Sequence, residues 1–169
     1  MRTPRLAPLL LALSLAACGG ASSPAATASK GVGGVCGEHT ADECLNAAAN
    51  MFEVDKDAAN VFAEYLCTGD FGGVTRDACT ISGHVYRMGG VEVKKDPATA
   101  LARYEKGCPL AAADAQAGSC FRVGLAHAKG ALTLGQPATL PIDKDQGKRY
   151  LDLACGKGFA EACTVAGQL

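Results

Sequence analysis

Asp96–Cys108 reads DPATALARYEKGC, and the fold follows from how this stretch is read. Asp96 is a good helix N-cap, because its carboxylate can accept a backbone N–H of the first turn, and Pro97 suits the first helical position. Ala100, Leu101, Tyr104 and Cys108 then fall on one face, at spacings of about one and two turns. The pattern occurs twice more, as DKDAANVFAEYLC at Asp55–Cys67 and DKDQGKRYLDLAC at Asp143–Cys155. Each copy sets an aspartate twelve residues before a cysteine.

A second anchor alternates with the first. CLNAA begins at Cys44, CTISG at Cys79, CFRVG at Cys120 and CTVAG at Cys163, and a small residue follows each cysteine by four: Ala48, Gly83, Gly124 and Gly167. These segments also read as helices, since Tyr86 and His127 continue the helical spacing past the glycines. A glycine inside a helix costs about 1 kcal/mol relative to alanine. Its repetition points to close approach of two helix backbones. Two anchors repeating in alternation are the signature of a repeat architecture.

The chain before the repeats has another character. MRTPRLAPLLLALSLAAC carries Arg2 and Arg5, a short apolar run and then Leu15-Ala16-Ala17-Cys18. Basic start, apolar run and small-residue junction form a signal peptide over residues 1–17. The run is shorter than the ~20 residues a membrane span needs. Leu15 to Cys18 resembles the lipobox of bacterial lipoproteins, which implies cleavage before Cys18 and lipid on that cysteine. Gly19, with no aspartate behind the lipidated residue, then points to a cell-envelope protein on the outer membrane, facing the periplasm. Residues 18–35 are small, polar and glycine-rich and are expected to be a flexible linker. The folded domain is expected over 36–169.

Composition narrows the function. Of 16 basic and 17 acidic residues, Arg2 and Arg5 leave with the signal, so no basic footprint for nucleic acid remains. Aromatics are 5% of the chain and tryptophan is absent, so the core must be close-packed small residues. Of nine cysteines, Cys18 is assigned to lipid. The other eight are candidates for disulfides in an exported chain and could pair in roughly a hundred ways. A thiolate metal site would need closer grouping, such as C-x-x-C, and none occurs.

A small-residue helix, the loop YRMGGVEVKKD and the helix DPATALARYEKGC together resemble a Sel-like repeat, an αα-hairpin family related to the tetratricopeptide repeat. Tyr86, Gly89, Gly90, Val91, Lys95, Asp96, Ala100, Tyr104, Cys108 and Cys120 carry the resemblance, which is closest to the cysteine-rich secreted subtype. It implies an all-α fold, a short αα-hairpin solenoid stapled by disulfides from the end of one helix to the start of the next. Those would be Cys36–Cys44, Cys67–Cys79, Cys108–Cys120 and Cys155–Cys163. Three departures stand out. The family's usual cysteine spacing of eight becomes twelve in the middle two pairs. ALTLGQPATLPI is inserted before Asp143. Gly147 replaces an expected alanine.

The resemblance implies two functions. One is a helical-repeat scaffold that binds a protein, peptide or cell-envelope partner, with no cofactor and with the membrane reached through the lipid anchor. The alternative is a weak β-lactam-binding or β-lactamase-type hydrolase. Its residues are not evident. No serine (14, 22, 23, 29, 82 or 119) has lysine three residues on, G-x-S-x-G is absent, and His39, His84 and His127 form no H-x-H or H-E-x-x-H pattern. No catalytic or metal-ligating residue is therefore assigned. In the resembled repeats the helices opened by the second cysteines line the concave side. Asn46, Asn50, His84, Arg87, Arg122 and His127 are the polar positions on them expected to contact a partner.

Overall fold

The structure, a computed structural model, describes residue 31 and residues 33–169. The signal peptide, the lipidation site Cys18 and most of the expected linker lie outside the described residues. A 3-10 turn at Gly34–Cys36 is followed by seven helices: α1 (Ala41–Met51), α2 (Lys56–Thr68), α3 (Gly73–Met88), α4 (Pro97–Gly107), α5 (Ala117–Lys129), α6 (Lys144–Gly156) and α7 (Ala160–Ala166). No strand occurs among the described residues, and none of the helices is long and apolar enough to cross a membrane.

The three aspartates cap their helices. The Asp55 side chain accepts the N–H of Ala58, Asp96 those of Ala98 and Thr99, and Asp143 that of Gln146. Each cap also ties back to the preceding helix through its own N–H. Asp55 donates to the carbonyl of Met51 at 2.7 Å, Asp96 to Tyr86 at 2.9 Å and Asp143 to His127 at 2.7 Å. The inserted residues of the last connection run between fixed ends, with Ala131 and Leu132 buried and residues 134–139 exposed. Gly130 anchors the insertion by accepting from the N–H groups of Thr139 and Leu140.

Each helix packs chiefly on its neighbours in sequence, and α1 also touches α3. That order of contact is what a stack of hairpins requires. Two apolar clusters result, one around Leu66 with Cys36, Cys44, Cys67 and Cys79, the other around Tyr104, Phe121, Leu125 and Leu151. The glycines at the repeat anchor perform the same task in successive units. A Cβ on Gly83 would lie 2.9 Å from the Tyr104 ring, and one on Gly124 would lie 2.6 Å from Leu151 Cγ. Tyr104 and Leu151 each stand four residues before the first cysteine of a pair, so the contact itself repeats.

All four disulfides are formed, with Cα separations of 5.6 Å for Cys36–Cys44, 4.6 Å for Cys67–Cys79, 5.0 Å for Cys108–Cys120 and 4.8 Å for Cys155–Cys163. The two long spacings are accommodated differently. α3 begins six residues before Cys79, whereas α1, α5 and α7 each begin three residues before their cysteine. One extra turn leaves Cys79 on the same face, because about 3.6 residues complete a turn. In the Cys108–Cys120 loop the additional residues lie in the connection between α4 and α5 instead.

The 3-10 turn at Gly34–Cys36 packs against α2. Gly34 (φ 57°) lies so close to Tyr65 that a Cβ would come within 2.5 Å of the ring. Only a residue without a side chain can let the chain turn against that ring at a positive φ.

Candidate functional site

Three of the six expected contact residues come together with groups that the sequence did not single out. Arg87 on α3 donates from Nε to the Tyr104 hydroxyl at 3.3 Å and from Nη1 to Thr133 Oγ1 at 3.4 Å. Arg122 on α5 donates from Nη1 to the carbonyl of Leu132 at 3.0 Å, and its guanidinium lies 5.4 Å from the Phe121 ring centre. His84 Nδ1 pairs with the same Tyr104 hydroxyl at 2.9 Å, and its ring meets Tyr104 edge-on. Tyr104 is wholly buried. The two arginines and His84 thus converge around one hydroxyl and the start of the inserted loop.

The electrostatics follow from that geometry. Burial, reinforced by the positive charges of Arg87 and Arg122, holds the His84 pKa down at about 4, so the ring is neutral at pH 7. Burial also lowers the pKa of Arg122, with repulsion from Arg87 acting in the same sense and the Tyr104 and Glu161 sides opposing it. Burial raises that of the Tyr104 phenol, against the pull of both arginines. The patch therefore carries two positive charges. Among the described residues no carboxylate lies within ion-pair distance of either arginine, whereas Arg76 pairs with Asp114 and Arg103 with Glu64.

The other expected contact residues are placed elsewhere. His127 pairs with Glu105 at 3.1 Å and stacks on Tyr150, so it serves the α4–α5–α6 junction. Asn46 and Asn50 are exposed on α1. His84, Arg87, Arg122 and His127 are half-buried and partnered within the fold. Thr133 and the Leu132 carbonyl were missed because they sit in the insertion, outside the repeat. Tyr104 read only as core.

A cleft of about 930 Å³ lies elsewhere, between the start of α2 and the loop after α3. Asp57 closes part of it, accepting the N–H groups of Val91 and Glu92 on Oδ2 and that of Val93 on Oδ1. These bonds lower the Asp57 pKa and occupy the carboxylate with holding the loop. Val54 and Val91 are exposed at its rim, and Asn60 Oδ1 is buried beside it with no protein partner.

Neither described serine is available as a nucleophile. Ser82 and Ser119 are fully buried, bonded to Glu64 and Thr80 respectively. All eight cysteines of the repeats are in disulfides, and among the described residues no group of three or more His, Cys, Asp or Glu gathers as a metal site would require. The geometry defines a disulfide-stapled, all-helical domain with a doubly cationic patch. Comparison with family models, curated proteins and solved structures finds no match.

Proposed function

We propose that the protein is a lipid-anchored cell-envelope scaffold built of Sel-like repeats. It binds a protein, peptide or cell-envelope partner through the side formed by α1, α3 and α5. The observation that carries this reading is the convergence of Arg87 and Arg122 without a carboxylate partner among the described residues. Charged groups held half-buried by neutral neighbours are more costly to the fold than solvated ones, so a binding role accounts for them better than a structural one. The anchor rests on Leu15-Ala16-Ala17-Cys18.

Two measurements test the proposal. Cys18→Ser should abolish labelling by radioactive palmitate, and continued labelling would sink the lipoprotein reading. Capture of a partner from envelope extract should weaken on combined replacement of Arg87 and Arg122 by alanine. It should not weaken on replacement of the exposed Lys144 and Arg149. Both arginines make hydrogen bonds within the fold, so binding is to be scaled to the folded fraction. Equal loss in both variants would assign the patch no special role.

A further inference from the structure

The Arg87–Arg122 patch has a donor inventory that specifies its ligand. A guanidinium presents five N–H donors in a rigid planar fork. Arg87 uses Nε and one Nη1 hydrogen, in long bonds of 3.3 and 3.4 Å, and Arg122 uses one Nη1 hydrogen. Every one of these acceptors is neutral: a phenol, a hydroxyl and a backbone carbonyl. The Tyr104 oxygen is shared with His84, and Thr133 Oγ1 accepts from Arg87. Three N–H donors remain on Arg87 and four on Arg122, and a guanidinium edge meets the two oxygens of a carboxylate with parallel bonds. Resting on the scaffold reading above, we propose that Arg87 and Arg122 together clasp one carboxylate, from an acidic side chain or the C-terminus of the partner's docking segment.

The surroundings fit a carboxylate. A neutral His84 adds no charge to the site at pH 7. Glu161 on α7 is the protein carboxylate whose field reaches Arg122, though from beyond ion-pair distance. It acts as a weak competitor that an arriving carboxylate must displace electrostatically. Charge-assisted pairs of this kind are stronger than neutral hydrogen bonds, and lysine cannot reproduce their bidentate geometry.

The test uses the full chain with its disulfides intact. Glutarate, inorganic phosphate and sodium chloride are titrated separately at pH 7 and matched ionic strength, and the arginine Nε–H resonances are followed by NMR. Glutarate should shift the Arg87 and Arg122 signals together and saturably, at lower concentration than phosphate, while chloride produces no saturation. Arg122→Lys should weaken glutarate by roughly tenfold, the loss expected for one charge-assisted bond, and Glu161→Gln should strengthen it. If a variant does not fold, the wild-type titration still decides. Absence of saturation, a chloride-like response, or phosphate saturating before glutarate would overturn the carboxylate assignment. A saturable glutarate shift with no partner ever captured would leave the clasp standing and remove the scaffold reading. A captured partner that glutarate fails to displace would do the reverse.

Discussion

Gly147→Ala gives the most direct test of how the helices pack. A Cβ at this position would lie 2.5 Å from the backbone nitrogen of Ala128 and 2.7 Å from both its Cα and its Cβ. Carbon atoms in good contact sit about 3.5–4.0 Å apart, so the added methyl requires α6 to move away from α5 by about 1 Å. Overpacking of this sort costs roughly 1–3 kcal/mol, towards the upper end here because two of the three atoms are backbone and cannot rotate aside. Alanine returns about 1 kcal/mol through helix propensity. The net loss is about 1–2 kcal/mol, a fall in Tm of roughly 3–8 °C for a domain of this size. Gly118→Ala supplies the opposite case within the partner helix. Nothing lies within 4 Å of its added Cβ, so propensity alone acts and stability should rise by up to about 1 kcal/mol. Far-UV circular dichroism of both variants during thermal unfolding, in oxidising buffer, reads the two signs. A Gly147→Ala protein as stable as the wild type would show that α5 and α6 do not approach this closely.

His84 makes stability depend on pH over a defined window. In the unfolded chain it takes up a proton near its ordinary value of 6.5, but in the fold only near 4. Between these values the unfolded state binds more protons, so stability is complete above about 6.5 and declines as pH falls towards 4, by on the order of 3 kcal/mol. Comparison of Tm against pH for wild type and His84→Gln should show that slope only in the wild type, and parallel curves would refute it. The disulfides should also differ in accessibility. Cys163 is exposed and Cys155 half-buried, while the other six cysteines are at most 2% exposed. Limited dithiothreitol followed by alkylation and peptide mapping should label Cys155 and Cys163 first, and earlier labelling of Cys67 or Cys108 would contradict the burial. Replacing Cys155 and Cys163 by alanine should cost about 2–3 kcal/mol, as expected for closing so short a loop.

Much of the fold is legible in local sequence because its determinants are local. An aspartate caps the helix that starts beside it, and twelve residues later the cysteine falls near that helix's end, so Asp55, Asp96 and Asp143 could be assigned without tertiary information. The repeated glycines signalled close approach, but the opposing residues, Tyr104 and Leu151, emerge only in the packed structure. Gly147 marks the same limit. It reads as a departure from the repeat until Ala128 is seen pressed against it.

The candidate site was legible only in part. Arg87 and Arg122 could be placed on the second-type helices by periodicity, but periodicity says which face a side chain is on, not what waits there. Their partners, Thr133 and Leu132, lie in an insertion without helical period, and Tyr104 belongs to another helix. His84 and His127 looked alike as groove histidines. One is held neutral between two arginines, and the other is paired with Glu105. The sequence by itself determined the helices, their caps and the spacing of the staples, because these depend on backbone propensity and short loops. Only the tertiary structure decided where charge is concentrated and left without a counter-ion among the described residues, because burial and distance between residues remote in sequence set the energy of a charge.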